Sequence, residues 1–107
     1  MKIDRSRDGS ALALVLEGRL DTLTAPELER ALAASLEGIE ALTLDFSKVD
    51  YVSSAGLRTL FGAQKRMATK QGSMKLTGVN DGVMEVLRMT GFTEVLKIEP
   101  VERNPQK

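Results

Sequence analysis

The sequence has 107 residues, which is the size of one domain. Lysine and arginine together number 15, as do aspartate and glutamate, so the formal net charge is zero. Cysteine, histidine and tryptophan are absent, which excludes zinc sites built from cysteine or histidine, disulfides, thiol nucleophiles and catalytic histidines.

The first two elements are predicted to form a β-hairpin. A strand over about residues 2–7 is followed by an Asp8-Gly9 turn, a dipeptide typical of hairpins. The apolar run after it, residues 11–17, is bounded by glycines at strand length, so a strand is favoured over a helix. The two strands are expected to pair antiparallel.

A helix is predicted after this hairpin. Thr24 is positioned to cap it, Pro26 is tolerated in the first turn, and Glu27 lies three residues after the cap, as in a capping box. Gly38 is the expected end. One helix face is apolar or small, and it comprises Leu28, Ala31, Leu32, Ser35 and Leu36.

The remaining chain alternates strands with helices. Strands are predicted over residues 41–46, 74–79 and 94–99. A helix is predicted over 54–71, with Gly72 beyond its end, and a last helix begins with Asn80 or Asp81 as its cap and ends at Gly91. The inner face of the longer helix is expected to comprise Leu57, Leu60, Phe61, Gln64 and Ala68.

The predicted order is ββαβαβαβ, which indicates an α/β fold. Strands separated by single helices need right-handed crossovers, so a mostly parallel sheet of four or five strands is expected, with the hairpin adding an antiparallel edge. The whole chain, 1–107, is read as one domain with a core over about 2–99. Residues 100–107 are expected to form a flexible tail.

Charge and hydropathy restrict the possible partners. No apolar run approaches the ~20 residues of a membrane span, and the N-terminus lacks the apolar core of a signal peptide, so a cytoplasmic location is expected. Zero net charge argues against a direct nucleic-acid binder. It conceals an uneven distribution, because residues 1–50 carry a balance of −4 and residues 51–107 a balance of +4.

Two junctions between a strand and a helix are unusual, residues 19–22 and 52–56. Ser53 or Ser54 can cap the helix that follows the second junction. A cap does not explain why Ala55 and Gly56 come next, since glycine in a first turn costs up to ~1 kcal/mol relative to alanine. Such small residues would leave backbone N–H groups open to an anion or to another protein's surface.

An enzymatic role for these serines is disfavoured. The strand, turn and helix resemble the layout of a hydrolase nucleophile elbow, but Val52 stands where the first glycine of Gly-x-Ser-x-Gly belongs. No histidine is available as a base, and no Ser-x-x-Lys spacing occurs. The phosphate-binding glycine motifs are also missing, so no cofactor and no metal is expected.

The chain resembles the STAS domains, and within them the bacterial anti-sigma-factor antagonists, over about residues 2–99. The resemblance depends above all on the segment Ser53-Ser54-Ala55-Gly56-Leu57-Arg58. Further matching segments are Gly18-Arg19-Leu20-Asp21, Thr24-Ala25-Pro26-Glu27-Leu28, and Asp45-Phe46-Ser47 with Val49 and Tyr51.

This resemblance implies a regulator that is itself no enzyme. In the family, an anti-sigma factor that is also a serine kinase phosphorylates a serine that aligns here with Ser54. Ser53 is the alternative, because it replaces the aspartate often found before the phosphorylated serine. The unphosphorylated form binds the anti-sigma factor and frees the sigma factor, and a serine phosphatase reverses the modification. The alternative role is an unphosphorylated scaffold subunit of a signalling or transport complex.

A set of residues around the two junctions is expected to contact the partner, with the protein itself a monomer. Asp21 is equally well explained as a helix cap, whereas Arg58 is expected to be solvent-exposed near the phosphorylated serine. The expected partner-binding residues are Asp21, Thr22, Ser53, Ser54, Ala55, Gly56 and Arg58.

Overall fold

A computed structural model describes residues 1–100, and the fold has the predicted order of elements. The expected tail falls largely on residues 101–107, which lie outside the described residues. The elements are β1 (Lys2–Asp8), β2 (Ala11–Leu20), α1 (Ala25–Ser35), β3 (Ala41–Val52), α2 (Ser54–Thr69), β4 (Ser73–Val79), α3 (Asp81–Met89), a 3-10 helix (Phe92–Glu94) and β5 (Lys97–Pro100).

The five strands form one sheet in which they follow their order in the chain, β1-β2-β3-β4-β5. The β1–β2 pair is antiparallel and the three other pairs are parallel, which confirms the predicted fold class. Each parallel pair is joined by an α-helix, followed before β5 by the 3-10 helix. Right-handed crossovers that all advance in one direction place the α-helices on the same face of the sheet. The burial pattern of β2 agrees with helices on one face only, because Leu12, Leu14 and Leu16 are buried while Ala13 and Val15 between them remain partly exposed.

The core between sheet and helices is aliphatic, as the low aromatic content requires, with Phe46 as a fully buried exception. The predicted inner face of α2 was partly wrong. Phe61 is 44% exposed and packs edge-on against Phe92, and Ala68 is also exposed. The residues of α2 that are buried are Gly56, Leu60, Ala63 and Met67. Met67 and Ala63 are buried where Ala68 and Phe61 were expected, so the buried stripe is rotated from the predicted one.

The second and third strands are longer than predicted. β2 continues through Gly18 to Leu20, and β3 continues from Phe46 to Val52. Their pairing shifts register between Val15 and Glu17 and again after Gly18, as at a β-bulge. The polar Ser47 and Lys48 therefore interrupt the alternation of β3 without ending the strand.

The last predicted strand is shorter than expected and begins later. Residues 92–94, which include the first residue assigned to that strand, form a turn of 3-10 helix. The backbone N–H groups of Val95 and Leu96 donate to the carbonyl of Phe92 at 3.1 and 3.0 Å, and Phe92 is buried. This local bonding delays the start of β5 to Lys97.

Candidate functional site

The carboxyl ends of β2 and β3 lie side by side and join the two junctions singled out by the sequence. Arg19 pairs with Tyr51, and Leu20 with Val52. The Ser53 N–H then donates to the Leu20 carbonyl at 2.9 Å. The start of α2 is therefore fixed against the segment that leads from β2 into α1.

The two serines at the start of α2 have different positions. Ser53 is the N-cap, with extended backbone (φ −94°, ψ 177°), and its hydroxyl oxygen accepts the Gly56 N–H at 3.3 Å. Ser54 is the first residue of the helix, and its side chain is exposed. The sequence left open which serine caps α2, and the structure shows that Ser53 does.

Gly56 is buried against the end of β2. A Cβ atom at this position would lie 2.7 Å from Leu20 Cγ and 2.8 Å from the Leu20 carbonyl oxygen, distances that real structures do not tolerate. Its N–H is already bonded to Ser53. The expectation that Gly56 leaves an N–H group open to a partner is therefore wrong, since its small size is required by packing inside the domain.

The segment before α1 is organised by Asp21. Its carboxylate accepts the N–H groups of Leu23 and Thr24 at 3.0 and 3.1 Å, and its own N–H donates to Thr24 Oγ1 at 2.9 Å. Thr24 makes no side-chain cap to α1, because its hydroxyl is turned toward the preceding segment, where its oxygen accepts the Asp21 N–H and its proton is donated to the Arg19 carbonyl at 2.6 Å. The predicted capping box is therefore absent, and Asp21 stabilises the turn at the helix entrance.

Arg19 connects this turn to β3. Its guanidinium lies 4.3 Å from the centre of the Tyr51 ring, and its Nε is 3.5 Å from Asp21 Oδ2. Tyr51 is 43% exposed, so the stacked pair lies at the surface beside the start of α2. A cation over an exposed ring stabilises by about 0.5–1 kcal/mol, enough to favour one orientation of the arginine.

The hydrogen bonds to Asp21 lower the pKa of its carboxyl below the ordinary value of 3.8, chiefly through the Thr24 N–H. A carboxyl whose pKa falls on folding stabilises the folded state above pH 3.8, and this contribution is lost as the pH falls through the folded-state pKa. Asp21→Asn is therefore expected to lower the melting temperature at neutral pH, with the difference from wild type shrinking as the solution is acidified below about pH 4. Thermal unfolding followed by circular dichroism across this pH range measures it. A difference that stays constant down to about pH 2 would contradict the role given to the charge.

A shallow groove of about 190 Å³ runs between α1 and α2 next to these residues. It brings together three of the predicted partner residues, Thr22, Ala55 and Arg58, and Arg58 is exposed as expected. Ser54 and Arg58 are one helical turn apart, so they share a face of α2. The other lining residues, Ala25, Pro26, Glu29 and Thr59, were not among the predicted partner-binding residues.

Leu23 is a further surface residue that the sequence analysis missed. Its side chain is 82% exposed, while the adjoining Asp21 turn fixes its backbone. The preceding residue, Thr22, lines the groove, so the Leu23 side chain adds apolar surface that is available to a partner reaching the groove. The signal was present in the sequence, since a leucine stands alone among polar residues between Asp21 and Thr24.

Within residues 1–100, no helix is both long and apolar enough to cross a membrane. The same part of the chain holds no group of three or more acidic side chains close enough together to bind a metal ion. The side chains of this surface include the hydroxyl groups of Thr22 and Ser54, the guanidinium groups of Arg19 and Arg58, the carboxylates of Asp21 and Glu29, and the exposed Leu23.

The chain is similar in sequence to proteins of one family. The family model described as "Mlab, STAS domain" matches residues 3–98. The anti-sigma-B factor antagonist of Listeria monocytogenes is 31% identical over 100 residues, which cover 92% of this chain and 87% of that protein.

Solved structures agree on the fold. An anti-sigma factor antagonist from Mycobacterium paratuberculosis superposes with a TM-score of 0.82 at 22% identity, covering 92% of this chain and 85% of that one. The Bacillus cell fate determinant SpoIIAA in its phosphorylated form gives a TM-score of 0.73 at 12% identity, with coverages of 91% and 90%. Because the family model matches almost all of the described residues and a named relative is 31% identical over 100 residues, the chain belongs to the STAS domain family.

Proposed function

We propose that this protein is an anti-sigma factor antagonist that acts by switching partners and catalyses no reaction itself. In its unphosphorylated form it binds an anti-sigma factor that is also a serine kinase, and the sigma factor is released. Phosphorylation of Ser54 ends this complex, and a serine phosphatase restores the binding form. The observation that carries the proposal is the exposed Ser54 hydroxyl at the first position of α2, beside the groove, in a chain 31% identical to a named antagonist.

The local geometry favours Ser54 over Ser53 as the phosphorylated residue. The Ser53 hydroxyl is only partly exposed, and its oxygen already accepts the Gly56 N–H, so it is held against the first turn of α2. Among the described residues, the Ser54 hydroxyl makes no such hydrogen bond. Its exposed side chain is accessible to a kinase.

A phosphate on Ser54 is electrostatically compatible with the folded domain. It adds about −1.5 to −2 charges at pH 7. The N-terminal end of α2 carries the positive pole of the helix dipole, and Arg58 stands one turn later on the same side. The modification therefore leaves the fold in place and changes the surface that a partner meets.

The same charge opposes partner binding. An interface that closes over a neutral hydroxyl would have to remove water from the phosphate, which is costly without a matching cation. We propose that the partner covers Asp21, Thr22, Ser53, Ser54, Ala55 and Arg58 along the groove, with Leu23 as an apolar anchor. Because a kinase of this kind uses ATP and the sigma factor acts on RNA polymerase, we place the exchange in the cytoplasm.

Labelling by the cognate kinase tests the phosphorylated residue. Purified protein is incubated with the anti-sigma factor and radiolabelled ATP, together with Ser54→Ala, Ser53→Ala and a control, Ser6→Ala, at an exposed position in β1. We expect one phosphate per chain in the wild type, the control and Ser53→Ala, and none in Ser54→Ala. Full labelling of Ser54→Ala would refute the assignment, and absence of labelling in every variant would favour the unphosphorylated scaffold.

A further inference from the structure

The guanidinium of Arg58 has no partner within residues 1–100. No hydrogen bond, ion pair or ring contact in that part of the chain involves it, and its exposed side chain lines the α1–α2 groove. On the same helix Lys70, by contrast, donates from Nζ to the Leu36 carbonyl at 2.6 Å. Residues 51–80 include five cations and no acid, so no anion of α2 itself is available to neutralise Arg58.

The opposite wall of the groove carries an acid. Glu29 of α1 lines the groove together with Arg58, and among the described residues no ion pair within 4 Å joins these two side chains. Asp21, which lies next to the groove, is already paired with Arg19 at 3.5 Å. The cation of α2 and the acid of α1 are therefore both available to a molecule that enters the groove.

A partner that covers this groove has to match both charges. Removing water from a charged group is strongly unfavourable unless the interface supplies an opposite charge. Because α2 offers Arg58 no acid, the carboxylate has to come from the partner, and a lysine or arginine of the partner has to face Glu29. These requirements set the polarity of the partner segment, with its acid toward α2 and its base toward α1.

A phosphate on Ser54 would compete for the same guanidinium. Ser54 and Arg58 are four residues apart on α2, which places their Cβ atoms about 5–6 Å from each other. An arginine side chain spans this distance, and its planar guanidinium can bind two phosphate oxygens at once. The anion lies N-terminal to the cation, which is the favoured order for a charged pair on a helix.

We propose that Arg58 exchanges one anion for another when Ser54 is phosphorylated. In the unphosphorylated protein it binds a carboxylate of the anti-sigma factor, and in the phosphorylated protein it binds the phosphate of Ser54. Phosphorylation then removes a contact that the partner needs, besides adding a charge that the partner would have to desolvate. The identity of the partner rests on the proposed function, whereas the contact between phosphate and Arg58 belongs to this chain alone.

Phosphorus NMR at low ionic strength tests the contact within the chain. Phosphoserine is incorporated at position 54 during translation, so that no kinase is needed. The phosphate should lose its last proton at a lower pH than in Arg58→Gln, because a nearby guanidinium favours the dianion, and added salt should reduce this difference. The control is Arg66→Gln, which removes another exposed arginine of α2 about 18 Å along the helix from Ser54 and should leave the titration unchanged. Identical titration with and without Arg58 would overturn the proposal.

Calorimetric titration of the anti-sigma factor tests the exchange. Arg58→Gln should lower the affinity at least about tenfold, and Arg66→Gln should leave it as in wild type. Combining Arg58→Gln with Ser54→Glu should cost less than the product of the two separate losses, since the first change has already removed the contact that the glutamate disrupts. If Arg58 only neutralised the glutamate, removing it would make the combined loss larger than that product. A combined loss equal to or larger than the product would therefore overturn the exchange.

The opposite wall of the groove provides a further binding test. Glu29→Gln should weaken binding of the anti-sigma factor several-fold, and unchanged affinity would overturn the polarity given to the partner segment. Circular dichroism should show that the substituted proteins are folded like wild type. If wild type itself fails to bind the anti-sigma factor, the proposed function fails and the exchange with it. If wild type binds and Arg58→Gln binds equally well, the exchange alone is overturned and the proposed function stands.

Discussion

Ser54→Glu is expected to lower the affinity for the anti-sigma factor at least about a hundredfold, equivalent to about 2.7 kcal/mol. The glutamate places a permanent negative charge at the first position of α2, where an interface would otherwise enclose a neutral hydroxyl. Burying an unmatched charge at an interface costs 2–5 kcal/mol or more by order of magnitude, so a hundredfold loss is a conservative figure.

Calorimetric titration of the anti-sigma factor with each variant measures this effect. Ser54→Ala removes the hydroxyl without adding charge and should bind within a few-fold of wild type. Ser6→Glu adds the same charge at an exposed position in β1 and should also bind normally. Since glutamate suits a helix N-terminus, Ser54→Glu should melt no lower than wild type. Equal affinity of Ser54→Glu and Ser54→Ala would contradict the electrostatic mechanism.

Gly56→Ala is expected to destabilise the domain by about 2–3 kcal/mol, the upper part of the range for overpacked cores. The added methyl group would collide with both the side chain and the carbonyl oxygen of Leu20. Leu20 is fully buried, and its carbonyl already accepts the Ser53 N–H. The clash can therefore be relieved only by moving α2 away from the end of β2.

The same helix supplies a matched control for this substitution. Gly62 is exposed, and a Cβ atom there would meet nothing within 4 Å. Gly62→Ala should therefore stabilise the domain by about 0.5–1 kcal/mol, the usual gain of alanine over glycine in a helix. Urea unfolding of both variants compares the two effects. Equal stability of Gly56→Ala and wild type would disprove the close contact with Leu20.

Hydrophobic periodicity predicted the order of strands and helices because each element buries one face of its own. The same signal failed where the backbone departs from regular geometry. Ser47 and Lys48 break the alternation of β3, yet Val49 and Val52 are buried beyond them because the register with β2 shifts. A bulge of this kind depends on the partner strand, so local sequence gives little warning of it.

The two strand–helix junctions selected from the sequence lie side by side, but the bonding within them was only partly predicted. Both junctions were selected from the sequence, and the pairing of β2 with β3 brings them together. Thr24 was wrongly assigned as a cap because its hydroxyl bonds to the segment before the helix, accepting the Asp21 N–H and donating to the Arg19 carbonyl. Gly56 was interpreted as facing a partner because its contact with Leu20 exists only in the folded chain. Local propensity cannot reveal bonds made between separate elements.

The strand order has a consequence for how the protein is made. Every strand pairs with the one before it, so a chain emerging from the ribosome can extend the sheet by one strand at a time. Ser54 reaches its place only when β3 has joined β2, since the Ser53 N–H binds the Leu20 carbonyl. In a nascent or misfolded chain Ser54 would lack this fixed position at the start of α2, so the kinase of the proposed function would find its target geometry only in molecules that have completed folding.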